Sequence, residues 1–347
     1  MNDQPKTVVA RSAFGLALAV GMSGLLAPGE GSAQQITLRV ADHYPAGSAS
    51  ADMTAGHFMR EVTRRTDGRV TFEYFPTEQL GRARDMLTLT LTGVTDIGFA
   101  APAYVSDTLP LGGVVELPGT FLHPCDGTRA FYEMATDGIL LEREYQPNGI
   151  RLLIALALPP YQVLTKDELR GLPDMAGKRL RTGGGAQDMS MEQVGAVPVR
   201  MAGPDIYESL HRGTLDGLVF PLPSLEQYSL EELLRYSTRG MNFGSFMSSY
   251  VISERRWNEL PEDIREIMAE VGAETSMHAC ERMANDIEPA MERLAAAGIE
   301  FVDFSDEDRA RIEELLAPVG EAWAEQMNRR GLPGTEVFET FVSKLPD

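Results

Sequence analysis

Arg181 is the residue best placed to do chemistry. It closes the run Gly177-Lys178-Arg179-Leu180-Arg181 and is followed by Thr182 and three glycines, Gly183, Gly184 and Gly185. A guanidinium offers a planar fork that matches a carboxylate two bonds at a time. Strand alternation puts Arg179 and Arg181 on one face and Leu180 on the other. The glycines allow close backbone approach and lead into a helix beginning near Asp188, whose N-terminus adds partial positive charge. Ligands of open α/β sheets bind outside the carboxyl ends of strands, which is where this spacing places Arg181. On residue types alone, anion capture and an exposed edge-strand arginine both stand. Phe220, at the carboxyl end of a strand over 218–220, is in the same position between ligand contact and core packing.

Other chemistries lack a motif. The three glycines do not have the G-x-G-x-x-G spacing of a dinucleotide loop, and there is no P-loop and no G-x-S-x-G. The five histidines, His43, His57, His123, His211 and His278, form no H-E-x-x-H. The expectation is therefore no metal, no cofactor and no catalytic residue. A formal charge of −20 argues against nucleic acid as a partner. The two cysteines, Cys125 and Cys280, have no metal-ligand spacing. Export would permit a disulfide, but the expectation is two separate buried thiols.

The elements that must position Arg181 follow from periodicity. A length of 347 residues suits two medium domains. Lys6 and Arg11, the apolar stretch 12–27 and the small-residue ending at Ala33 predict a cleaved signal peptide, with the mature chain starting near Gln34 and residing in the periplasm. Strands are predicted at 36–40, 69–74, 96–100, 299–303 and 150–158, the last so continuously apolar that both its faces should be buried. Helices are predicted at 53–66, 84–91, 129–146, 225–234 and 309–329, with a polar tail from Gly331. A helix opening at Pro261-Glu262-Asp263 should run to about Ala297 with a kink near Pro289. Pro159-Pro160 marks a crossing between domains, and 243–253 reads as the returning strand. Alternating strands and helices predict an α/β fold with mostly parallel sheets.

Several pieces together resemble one family. Gly177-Lys178-Arg179-Leu180-Arg181, Gly195-Ala196-Val197-Pro198 and the run from Pro204 to Leu210 with Gly213, Asp216 and Gly217 are similar to the matching segment of the substrate-binding proteins of TRAP transporters, the periplasmic receptors of the DctP type. Gly68-Arg69-Val70 with Tyr74, Pro76 and Gln79-Leu80-Gly81 fits the same pattern, as does Leu260-Pro261-Glu262-Asp263. The resemblance implies two α/β lobes with mixed, mostly parallel sheets, hinge strands and a long lobe-bridging helix. The expected division is 1–33 signal peptide, 34–158 plus 247–286 lobe I, and 159–246 plus 287–347 lobe II. It further implies lobe closure on a small organic acid and delivery to TRAP membrane permease subunits driven by an ion gradient. An exported enzyme on the same fold, or a ligand sensor for a membrane signalling protein, are the alternatives.

By this resemblance Arg181 matches the arginine that grips the ligand carboxylate. Gln162 stands where many members carry a second arginine, Phe220 where many carry asparagine, and Ala101 where sialic-acid-type receptors carry an acid. Losing a cation and gaining an aromatic favours a ligand with one main carboxylate and an aromatic or apolar body. Tyr44, Tyr104, Tyr161, Phe220 and Phe243 are expected to line its site with Gln162 and the backbone at Gly184.

Overall fold

A computed structural model describes residues 35–346. The predicted signal peptide and its cleavage point lie outside the described residues. Among the described residues, eleven strands form two sheets. The first contains β1 (Ile36–Ala41), β2 (Val70–Phe75), β3 (Ile97–Phe99), β4 (Ile150–Ala157) and β10 (Met247–Ser253), in the order β2-β1-β3-β10-β4. The second contains β5 (Gln162–Thr165), β6 (Arg179–Thr182), β7 (Val197–Arg200), β8 (Gly217–Phe220), β9 (Tyr236–Thr238) and β11 (Glu300–Val302), in the order β11-β9-β5-β8-β6-β7.

Each sheet has one strand that runs against its neighbours. These are β10, antiparallel to β3 and β4, and β5, antiparallel to β8 and β9. They are the strands that carry the chain across. After β4, Leu158-Pro159-Pro160 leads into β5, because two consecutive prolines cannot extend a sheet ladder. After β9 the chain returns to the first sheet as β10. The α/β class and mixed sheets expected from the sequence are what the structure has.

β4 is buried along its length except at Arg151, as a strand covered on both faces should be. The helices Pro124–Asp137 and Glu262–Asn285 pack against it. Gly272 lets the second of these lie with its backbone directly on the Leu153 carbonyl, where a Cβ would collide. The same two helices are joined by a disulfide between Cys125 and Cys280, whose Cα atoms are 5.0 Å apart. This corrects the expectation of separate thiols. A spacing of 155 residues says nothing about proximity, which here is created by helix packing on β4.

The long helix breaks at Asp286 and restarts as Ile287–Ala296. Pro289 lacks an N–H, and its ring would clash with the carbonyl four residues back, at Asn285, where the first helix ends. The first segment packs on β4, and the second contacts the turn Leu222–Ser224 beyond β8.

Three other helix expectations change. The predicted helix 129–146 starts earlier, at Pro124, and stops at Asp137 before Gly138, with a π-helical turn at Leu141–Tyr145. Residues 225–234 form separate 3-10 turns, interrupted by Ser229 in a left-handed conformation. The predicted helix 309–329 is two helices, Asp306–Leu316 and Val319–Arg329, divided at Pro318. The polar tail is in fact a helix, Gly334–Ser343, which buries Val337 and Phe341. It packs on the segment Leu111–Glu116 and on the helix Pro124–Asp137.

Candidate ligand-binding site

The carboxyl ends of β1, β6 and β8 face a common cavity between the two sheets. It is narrow, about 20 Å³, and is lined by residues at or beyond the ends of β1, β3, β4, β6, β7 and β8 and by Phe246 just before β10. Arg181 is its centre. The side chain is only 1 % exposed, a rare state for arginine. Its Nε donates to the Met201 carbonyl at 2.9 Å, and Nη2 donates to the Tyr104 hydroxyl at 3.2 Å. Nη1 is buried and has no partner. The guanidinium carbon stands 5.3 Å from the centre of the Phe220 ring, within cation–π range. No carboxylate among the described residues forms an ion pair with Arg181.

The strand register explains this placement. Arg181 pairs with Leu218 of β8 on one side and Val199 of β7 on the other. It is thus the penultimate residue of a central strand and reaches past the sheet's end. The turn beyond it needs glycine. Gly184 has φ +117°, and a Cβ there would meet the Ala103 carbonyl at 3.0 Å. Backbone from the two halves of the molecule touches at that point.

Tyr104, from the first half, closes the cavity over Arg181. Its hydroxyl accepts from Arg181 Nη2 and from the Gly203 N–H at 3.0 Å. Its ring packs on Phe246, with centroids 5.0 Å apart. Tyr161 and Tyr228 flank Phe220 at 6.0 and 6.2 Å. Burial pushes both phenols well above their ordinary pKa, so they stay protonated. Tyr44 contributes its ring, and its hydroxyl donates to Ser248 Oγ at 3.0 Å.

Of the residues singled out from the sequence, Arg181, Phe220, Tyr161, Tyr44 and Tyr104 come together around this cavity. Three do not line it. Gln162 is occupied elsewhere: its amide nitrogen donates to the Met241 carbonyl at 2.7 Å, and its oxygen accepts from Thr238 Oγ1 at 3.0 Å. Phe243 is fully buried in the core. Gly184 shapes the turn and sits beside the cavity.

The sequence reading missed His43, Gly203, Ser224, Gln227, Tyr228 and Phe246. His43 lies two residues beyond Ala41, the last residue of β1, and directly before Tyr44, so the signal that could have found it is its place at the carboxyl end of that strand. The imidazole is wedged between Phe99 and Tyr44, with centroids at 4.3 and 4.4 Å. Burial, followed by the nearby Arg181 charge, pushes its pKa down to about 3. It is therefore neutral at physiological pH.

A second, larger cavity of about 320 Å³ lies on the other side of the glycine turn, bordered by Glu116, Asp188, Arg200 and Trp323. Of its two arginines, Arg200 is already paired with Asp188 and Arg330 is exposed. Glu116 is fully buried, accepts from the Ala103 N–H at 3.3 Å, and has its pKa pushed up to about 8 by burial. Arg181 differs in being a buried cation without a counter-charge.

Among the described residues no cluster of His, Cys, Asp or Glu could hold a metal ion, and no helix is long and apolar enough to cross a membrane.

Comparison with known proteins adds a family. Residues 42–326 match the model of bacterial extracellular solute-binding protein, family 7. The C4-dicarboxylate-binding periplasmic protein DctP of Rhodobacter capsulatus is 26 % identical over 285 residues, covering 79 % of this chain and 82 % of that protein. A TRAP solute-binding protein from Rhodoferax ferrireducens, crystallised with copurified benzoate, superposes with a TM-score of 0.82 at 23 % identity, covering 89 % of this chain and 97 % of the other. A marine-metagenome TRAP solute-binding protein specific for aromatic acid ligands superposes with a TM-score of 0.83 at 20 % identity, covering 90 % and 100 %.

Proposed function

The chain belongs to family 7 of the bacterial extracellular solute-binding proteins, and from that premise we propose that it is a periplasmic receptor for an organic acid with one main carboxylate and an aromatic or apolar body. One observation carries this. Arg181 is buried with a free Nη1 and no ion-paired carboxylate. A buried charge left alone is strongly destabilising, so the site is electrostatically incomplete until an anion enters. The ligand carboxylate takes the open edge of the guanidinium, and its body lies among Phe220, Tyr161, Tyr228, Tyr44 and Phe246.

A dicarboxylate, the ligand class named for the Rhodobacter relative, needs a second cation. Arg181 is the one cation lining the cavity among the described residues, and His43 is neutral. Gln162 neither carries charge nor reaches the site. The benzoate and aromatic-acid ligands of the two structural relatives fit the same logic.

In this reading the two sheets are the cores of two lobes, 34–158 plus 247–286 and 159–246 plus 287–347, which close as Tyr104 of one engages Arg181 and Gly203 of the other. The closed form hands its ligand to TRAP-type permease subunits. The N-terminal 33 residues act as the export signal. The protein is a receptor and carries out no turnover.

Isothermal titration of the stripped protein with aromatic, keto and dicarboxylic acids tests the ligand class. The expected result is binding of aromatic monocarboxylates. Preference for a dicarboxylate overturns it. Conversion of any bound acid to a new product would instead make the chain an enzyme.

A further inference from the structure

Eight buried side-chain polar atoms among the described residues have no hydrogen-bond partner, and three of them belong to residues of the Arg181 cavity: Arg181 Nη1, His43 Nδ1 and Ser224 Oγ. Buried polar groups are satisfied in the great majority of cases, and each exception requires an explanation. Three exceptions in one small cavity point to a ligand that supplies the missing partners. Arg181 Nη1 takes a carboxylate oxygen. His43 and Ser224 need something else.

The chemistry of that second group is constrained. A neutral imidazole has one N–H and one lone pair, and a serine hydroxyl both donates and accepts. A second carboxylate would face neutral His43 with no cation to balance it. An ammonium would find no Asp or Glu in the cavity lining. A wholly apolar body would leave both atoms unpaired. A hydroxyl, which donates and accepts, pairs with either tautomer of His43 and with Ser224.

His43 is also held still. Its ring is fixed between Phe99 and Tyr44. The preceding residue, Asp42, anchors the loop by accepting from the Tyr250 and Tyr74 hydroxyls at 2.7 and 2.8 Å and from the Tyr44 N–H at 3.1 Å. A fixed acceptor or donor discriminates between ligands better than a mobile one, because the wrong ligand cannot be accommodated by rotation.

We propose that the ligand is a hydroxy-substituted aromatic or apolar monocarboxylate, with its hydroxyl recognised by His43 Nδ1 and Ser224 Oγ. This rests on the carboxylate reading of Arg181 above. It adds residues from both halves of the molecule: Ser224 follows β8 of the second sheet, which also holds Arg181 in β6, whereas His43 follows β1 of the first. A ligand spanning carboxylate and hydroxyl would therefore tie the two halves together.

The test is calorimetric titration of the stripped, full mature protein with benzoate, phenylacetate, the three hydroxybenzoates and mandelate. The expected result is that at least one hydroxylated acid binds about five- to tenfold tighter than its unsubstituted parent, the range of one neutral hydrogen bond. In His43→Phe, which keeps the aromatic packing, that ratio should fall to about one to two. His43→Asn places an amide near the lost Nδ1 and should retain part of the preference. Ser224→Ala should reduce the ratio by about two- to fivefold. Equal affinity of the wild type for parents and hydroxylated acids overturns the proposal, and so does a ratio unchanged in His43→Phe. Failure of every acid to bind is a different outcome, which removes the carboxylate reading of Arg181 and this inference with it.

Discussion

The two ends of β6 carry the same residue type in opposite circumstances. At the entering end, Arg179 is exposed and ion-paired. Its Nε and Nη2 donate to the two Asp216 carboxylate oxygens at 3.0 and 2.7 Å, and Nη2 also donates to the Gly213 carbonyl at 3.0 Å. Two residues on, Arg181 is buried, has no carboxylate partner and keeps one nitrogen unused. The neighbouring strand β8 mirrors this, with Asp216 just before one end and Phe220 at the other. An arginine in water gains little from a partner and loses little without one. An arginine withdrawn from water without a partner is tolerated where a ligand will provide one. The difference between structural and functional arginine is thus visible in what each lacks.

The sharpest way to break this contrast is Arg181→Ala. Removing one side of a buried charge pair costs about 2–5 kcal/mol, so acid binding should fall by at least about 30-fold, with circular dichroism unchanged. Arg181→Lys should recover only part of the affinity, because an ammonium keeps the charge and loses the fork. Near-normal titration of Arg181→Ala would show that the unpaired guanidinium is not the anion anchor.

The second prediction concerns the carboxyl group nearest in function to a counter-charge. Burial raises Glu116 to about 8, opposed by its hydrogen bonds and by the Arg181 charge. Glu116 is therefore neutral at pH 7 and leaves Arg181 to the ligand. The folded state binds the proton more tightly than the unfolded chain, whose glutamate titrates near 4.5. The stabilisation is complete below pH 4.5 and is lost as pH rises through 8, a change of a few kcal/mol at most. Glu144 is also raised to about 8 by burial and acts in the same direction, so the diagnostic is a difference between proteins. Glu116→Gln should flatten part of the decline in melting temperature between pH 5 and 8.5. It should also remove a fall in ligand affinity above pH 8, where an ionised Glu116 would compete for Arg181. Identical pH profiles in wild type and Glu116→Gln would remove Glu116 from the electrostatics of the site.

Phe220 sets the other half of the contrast. Its ring faces the guanidinium and packs between Tyr161 and Tyr228. Phe220→Asn should weaken binding of aromatic acids by roughly tenfold, the scale of one lost cation–π and stacking contact. The loss should be smaller for acids without a ring. A uniform loss across both classes would mean that Phe220 supports the cavity wall without reading the ligand.

Why Arg181 and its aromatic neighbours were legible, and His43 and Ser224 were not, follows from the kinds of signal involved. The strand-end position of Arg181 and the glycines after it are local. Tyr44, Tyr104 and Tyr161 follow from the family resemblance as aromatic residues suited to an aromatic acid, and they line the same cavity. His43 and Ser224 show their significance only as buried atoms without partners, which depends on the packing of both halves. Gln162 failed for the complementary reason: its strand position was right, but Thr238 and Met241 bind its amide. The Cys125–Cys280 bond depends on two helices meeting over β4. By contrast, the helix at 334–343 was readable, since Val337 and Phe341 stand four residues apart behind Pro333 and Gly334.

The smallest effect is expected from Arg179→Ala, and it is the control that the comparison requires. Arg179 and Asp216 are both partly in water, so the pair organises the strand entrance without bearing on the cavity. Ligand affinity should stay within about twofold, the scale of a surface pair. The consequence should appear at acid pH. The Arg179 guanidinium, helped by its backbone N–H, holds Asp216 down at about 2, below the ordinary 3.8. A carboxylate with a depressed pKa adds stability above 3.8 that is lost as pH falls through 2. Arg179→Ala keeps the backbone donor and removes the side chain, so the variant should lose less stability than the wild type between pH 4 and 2. A drop in acid binding comparable to that of Arg181→Ala would mean that the two ends of β6 act as one electrostatic unit, and the distinction between paired and unpaired arginine would no longer locate the site.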